Sequence, residues 1–182
     1  MTPSLDTLVA QGWQARRDRR PGDARQLFAE AVELARTDGG LLLGRALVGL
    51  GQIERDLGDL GPARDHYEEA LSIMRAEGHA LKVAHTVRHL GDICYEDGRS
   101  DLAETHFQEA LAIYRADSGT GRLDLANAIR SMALLKETRG DSEEAAQLWQ
   151  EARDLYEVVN VQEGVAESSA RLARLERRRA GT

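Results

Sequence analysis

The sequence predicts an all-α protein of nine helices, paired as antiparallel hairpins in an α-α superhelix. Three observations lead there. A small residue, an aromatic four positions on and an alanine three beyond that recur as Ala24–Phe28–Ala31, Ala63–Tyr67–Ala70, Ala103–Phe107–Ala110 and Ala145–Trp149–Ala152. Twelve residues before each copy stands another small residue: Gly12, Gly51, Gly91 and Ala133. A fixed period of this size marks a repeat array, whose units bury their apolar faces against their neighbours. Finally, breakers cut the chain at regular intervals, and the segments between them show helical rather than alternating periodicity.

The first segment, 4–19, runs to Arg20-Pro21-Gly22, and the second, 23–37, to Gly39-Gly40. Segments 41–57 and 61–77 flank Gly58-Asp59 and end at Gly78, and 80–97 and 101–116 flank Gly98-Arg99-Ser100. After Gly119-Thr120-Gly121 come 122–139 and 142–158, parted by Gly140-Asp141-Ser142, and 161–179 follows Asn160. Glycine at such ends supplies the left-handed residue that closes a helix. Ser100 and Ser142 are expected as N-caps. A composition rich in Ala, Leu, Arg and Glu, with three prolines, favours helices over strands.

Spacing sets the pairing. The twelve-residue offset is constant, so the two helices it joins are antiparallel neighbours, whereas the return to the next unit takes 27, 28, 30 and 28 residues. The hairpin is therefore the rigid module and the connection absorbs length changes. One domain, 1–182, is expected, with repeats at about 5–39, 41–78, 80–118 and 122–159 and a capping helix at 161–179.

In each repeat the first helix (A) carries an apolar–small pattern: Leu47-x2-Leu50-Gly51, Val87-x2-Leu90-Gly91, and the looser Ile129-x2-Met132-Ala133 and Leu8-x2-Gln11-Gly12. The second helix (B) carries the small–aromatic–alanine core. On these residues, over about 5–158, the chain resembles the tetratricopeptide repeat family. It departs in a period of 39–42 residues where ~34 is usual, and in lacking the proline that closes helix B. The lengthened form is similar to the repeats of kinesin light chains and of many bacterial regulatory proteins.

Composition narrows the function. A net charge of −7 speaks against nucleic acid as the main ligand. No apolar run approaches a membrane span, and MTPSLDTLVAQGWQ does not read as a signal peptide. The lone Cys94 cannot form an internal disulfide, which suits a reducing cytoplasm and reads as a small buried hydrophobe. Twenty-two arginines against Lys82 and Lys136 suggest a GC-rich, bacterial coding sequence. No phosphate loop, nucleophile elbow, Cys-x-x-Cys or zinc-protease motif is present, so neither an enzyme nor a cofactor is expected. His85, His89 and Asp92 share a helical face, but a metal site there lacks a fourth ligand, and none is expected.

The resemblance implies a protein-interaction module whose concave groove is lined by the A helices. Carried over by position, the candidate peptide-binding residues are Trp13, Arg45, Arg88, His89, Tyr95, Asn127 and Arg130. Arg45, Arg88, Arg130 and Arg171 would form a spine that favours an acidic or C-terminal peptide, because guanidinium groups bind carboxylates in bidentate fashion. The same arginines could instead pair with Asp92, Asp56 and Glu137. The positions of the family's carboxylate clamp are occupied by Val9, Trp13 and Gly49, which speaks against a chaperone-terminus role. Gly44 and Gly49 make the second A helix a soft point, or a place where a ligand backbone approaches. Alternative readings are a ligand-sensing segment of a larger signalling or transcriptional regulator, and a self-associating scaffold.

Overall fold

The computed structural model describes residues 3–37 and 39–181. It contains α1 (Leu5–Arg17), α2 (Pro21–Ala35), α3 (Gly40–Leu57), α4 (Leu60–Ala76), α5 (Ala80–Glu96), α6 (Ser100–Ala116), α7 (Arg122–Arg139), α8 (Ser142–Val158) and α9 (Gln162–Ala180), and no strand among the described residues. The all-α class is the one the sequence predicts. The odd-numbered helices are the A helices and the even-numbered ones the B helices. Two compact units divide the chain at Ile93 and Cys94, within α5. In the first, α1 packs on α2 and α3, α2 on α3, and α3 on α4; in the second, α6 packs on α7, α7 on α8, and α8 on α9.

The constant offset has a backbone cause. Seven residues after each small residue of an A helix stands one in the left-handed region: Arg19 (φ 57), Gly58 (φ 88), Gly98 (φ 74) and Gly140 (φ 86). The next amide, of Arg20, Asp59, Arg99 or Asp141, donates back five residues to the carbonyl of Ala15, Glu54, Cys94 or Lys136 at 2.8–3.0 Å. This six-to-one bond closes each A helix in the same way and aims the chain into its B helix. Those same four residues are the N-caps of the B helices, and none makes a side-chain cap bond. Ser100 and Ser142 therefore lie one position inside the helix, not at the N-cap as the sequence suggested. Pro21 also takes this first position, where its missing N–H would have had no helical partner.

The variable return is a matter of loop, not of helix. Gly39, Gly78 and Asn160 (φ 59) are left-handed fifteen residues after Ala24, Ala63 and Ala145. After α6 the chain instead leaves through Asp117 in extended geometry (φ −97, ψ 115), and the loop up to Gly121 supplies the longest return.

The B-helix aromatics Phe28, Tyr67, Phe107 and Trp149 are 0–1% exposed. Residues three, four and seven positions on complete the buried stripe, such as Ala70, Leu71 and Met74 in α4. The row six positions on is peripheral: Leu34 is 45% exposed, and Ile73, Ile113 and Leu155 are half-buried. Six residues turn a helix by about 600°, which carries that row well off the aromatic's face.

The glycines of α3 are filled rather than free. A Cβ at Gly44 would lie 2.7 Å from Met74 Cε, one at Gly51 would lie 3.1 Å from the Tyr67 ring, and one at Gly49 would overlap the Phe28 ring. Neighbouring side chains occupy the space that the sequence reading had left to a soft point or a ligand.

Candidate interaction face on the A helices

In the first unit the candidate residues sit in a polar network that starts at Trp13. Its half-buried ring meets Phe28 edge-on at 5.0 Å, with the Arg16 guanidinium 6.0 Å from its centroid. Arg16 Nε donates to Asp56 Oδ2 at 2.6 Å, tying α1 to α3, and Arg45 on α3 returns the link to Asp6 on α1 at 3.2 Å. Gln52 donates to Asp56 at 2.8 Å and accepts from the Tyr67 hydroxyl at 3.3 Å. The Tyr67 ring lies parallel to His89, 5.1 Å between centroids and 11° between planes.

Arg88 and His89 form the inner end of this network. Arg88 Nη2 lies 2.7 Å from His89 Nε2, and Arg88 Nη1 donates to Asp92 at 2.8 Å. Asp92 also accepts from Arg55 at 3.2 Å. A guanidinium can only donate, so His89 Nε2 is the acceptor and its proton sits on Nδ1. Nδ1 is buried without a hydrogen-bond partner, 3.6 Å from Asp92 Oδ2. Burial, reinforced by Arg88, holds the His89 pKa well below the usual imidazole range. Burial and Arg88 likewise lower that of His85 to about 4. His85 meets His89 edge-on at 4.7 Å. Among the described residues no group of three His, Cys, Asp or Glu side chains is arranged to hold a metal ion.

In the second unit, the Tyr95 hydroxyl bonds Thr138 Oγ1 at 2.8 Å, and Asn127 Oδ1 accepts from the Tyr156 hydroxyl at 2.8 Å. Arg130 holds Glu167 of α9 with two nitrogens, at 2.6 and 3.0 Å. Glu137 is nearly buried and accepts from Trp149 Nε1 at 3.3 Å, from Arg171 at 3.4 Å and from Arg174. Arg171 also stands over the Trp149 ring at 5.6 Å.

Every arginine of the expected spine thus has a carboxylate within its own unit. Arg45 keeps a side chain 44% exposed, whereas that of Arg88 is 11% exposed. The structure joins Arg88 directly to His89 and sets Asn127 and Arg130 one turn apart on α7. Trp13 and Arg45 share α1 as an attachment point, through Trp13 itself and Asp6.

A feature not read from the sequence emerges once helix boundaries are known. In the first unit α1, α3 and α5 as far as Ile93 carry net +2, and α2 with α4 carries −3. In the second, α7 and α9 carry net +4, and α6 with α8 carries −6. Counting charge per helix would have found it.

A family model described as tetratricopeptide repeat matches residues 7–76 and 82–158. The chain belongs to the tetratricopeptide repeat family. Tetratricopeptide repeats are generally protein–protein interaction modules and are typically non-catalytic. The crystal structure of BtubC (BKLC) from P. vanneervenii is similar in fold, with a TM-score of 0.69 at 18% identity, covering 98% of this tetratricopeptide chain and 82% of that one. No curated protein matches the sequence. No helix among the described residues is long and apolar enough to cross a membrane.

Proposed function

We propose that the A-helix faces bind an acidic segment of a partner protein. The observation that carries this reading is the charge polarity within each unit, because a net-positive face on a chain of net charge −7 attracts and orients an anionic partner. Arg45 and Arg130 are the carboxylate-binding groups, with Asn127 as a hydrogen-bonding neighbour. Trp13 and Tyr95 offer aromatic surface of the kind that dominates binding energy. Arg88 and His89, mostly buried, form the floor that keeps the face rigid.

The test is a titration of a fluorescent decapeptide rich in Asp and Glu with one Phe, against the intact chain. Saturable binding is expected, weakening as salt rises. The Arg45→Glu/Arg130→Glu variant should bind at least tenfold more weakly, while Arg64→Glu on α4 should not differ from wild type. Equal binding by the first variant, or preference for a Lys-rich peptide, overturns the proposal.

A further inference from the structure

One repeat position in the first unit carries a group that the packing does not require. Two residues before the small residue of an A helix stand Gly49 in α3 and Ser131 in α7, whereas α5 places His89 there. At Gly49 the aromatic of the preceding B helix, Phe28, fills the space of the missing side chain. At His89 the aromatic one repeat on, Tyr67, lies flat against the imidazole instead. The histidine is only 6% exposed, so the core of the unit has taken in a ring that can acquire charge.

Its surroundings refuse that charge while the helices stay packed. Nε2 accepts from Arg88 at 2.7 Å, so a proton there would set two donors against each other. The charged and titratable groups facing His89 come from four helices: His85, Arg88 and Asp92 on α5, Arg55 on α3, Arg16 on α1 and Tyr67 on α4. Burial pushes the Tyr67 phenol up, so it stays neutral, and Asp56 is reached only through Gln52. Asp92 is already shared by Arg88 and Arg55. His85 faces Arg88 and Lys82, and stands edge-on to His89 at 4.7 Å, so two imidazolium rings would also repel each other.

Residues 80–93 are the last segment of the first unit. Val83, Ala84, Val87 and Leu90 anchor the segment, but Thr86, His89 and Asp92 share its buried face. An element at the edge of a unit with polar groups in its contact face opens at lower cost than the unit as a whole. Once open, both imidazoles stand in water, where they take up protons at about pH 6.5. Protons therefore bind the open form in preference, and a ligand shifts an equilibrium by its differential affinity for the two forms. We propose that His85 and His89 make residues 80–93 an acid-released segment: each takes a proton on opening, so mild acid frees the segment from α3 and α4 while α1 to α4 stay packed. Between pH 7.5 and 5.5 the open population grows about tenfold per histidine, or about a hundredfold for the pair. Release takes Arg88 and His89 out of the A-helix face. For a face that holds an acidic segment, acid thereby withdraws part of the site; that consequence rests on the proposed function, whereas release itself does not.

Amide hydrogen exchange of the intact chain, with no partner present and corrected for the intrinsic effect of pH, reads release directly. Residues 80–93 are expected to exchange at least tenfold faster than Pro21–Ala35 at both pH values, and to gain about a hundredfold from pH 7.5 to 5.5. His85→Gln/His89→Gln should lose most of that gain, because glutamine can still accept from Arg88 but takes no proton. His85→Gln alone, at a half-buried position, should keep a gain of about tenfold. Circular dichroism at pH 7.5 verifies that the double variant is folded; where it is not, the wild-type comparison and His85→Gln decide. Equal protection of residues 80–93 and Pro21–Ala35 means that the unit unfolds whole, and overturns the proposal. So does the absence of a gain at pH 5.5, or a full hundredfold gain in either variant. A failure of acidic peptides to bind leaves these outcomes untouched, so the two readings fail separately.

Discussion

The Phe28 ring lies so close to Gly49 that a Cβ there would overlap it, and the same ring would stand 2.8 Å from a Cβ at Gly12. One aromatic of α2 is thereby seated against glycines of both α1 and α3. The absence of two side chains lets three helices approach.

Gly49→Ala should therefore destabilise the protein even though alanine is the better helix former. The propensity gain is up to ~1 kcal/mol, while forcing a methyl group into a filled core costs about 1–3 kcal/mol. At Gly61, on α4, nothing lies within 4 Å of an added Cβ, so Gly61→Ala should be neutral or stabilising by up to ~1 kcal/mol. Urea unfolding of both variants checks the pair, and a stable Gly49→Ala contradicts the packing described.

Glu137→Ala should cost about 2–3 kcal/mol, at the upper range for loss of a buried acceptor of charge-assisted hydrogen bonds. The carboxylate joins α7 to Trp149 on α8 and to Arg171 and Arg174 on α9. Its removal should also loosen α9, seen as faster amide exchange in Gln162–Ala180 than in α6.

Position also predicts a charge swap. Arg25 of α2 holds Glu54 of α3 at 2.9 Å, and Glu104 of α6 holds Lys136 of α7 at 2.7 Å. The two pairs occupy the same repeat positions with reversed polarity. Glu54→Lys alone, which sets a buried ammonium near a guanidinium, should cost about 3 kcal/mol. Adding Arg25→Glu should recover part of that loss, giving a favourable coupling energy of about 1 kcal/mol in a double-mutant cycle. Additive costs would contradict the equivalence.

Acid should weaken the fold before its carboxylates titrate. His85 and His89 have folded pKa values below the unfolded value of about 6.5, so the unfolded chain binds more protons as pH falls through that point. Stability is full above pH 6.5 and falls below it, toward about 4 for His85. The loss is up to about 1.4 kcal/mol per pH unit for each histidine. Urea midpoints at pH 7.5 and 5.5 measure it, and a His85→Gln/His89→Gln variant should show a smaller difference.

Much of the fold was legible because its signals are local. Phase and spacing along the chain located every helix, since the aromatic core and the glycine breakers act within a few residues of where they stand. Caps were misjudged at Ser100 and Ser142 because a backbone turn with a six-to-one bond places Arg99 and Asp141 at the N-caps, with no side-chain cap bond. The candidate face was legible as a set of residue types on the A helices. Their partners were not, because Asp6, Asp56 and Glu167 lie 37 to 40 residues from the arginines they meet.

The sequence alone determined that this chain is a helical tetratricopeptide array, because repeat period, small residues and breakers are properties of neighbouring positions. Only tertiary structure decided how the polar residues are used. It sank Arg88 and His89 into a network with Tyr67 and Asp92, filled the α3 glycines with Phe28, Met74 and Tyr67, and set Leu175 of α9 against Trp149 of α8. Burial and ion pairing depend on which helices meet, and those meetings are made across distances along the chain that no local pattern records.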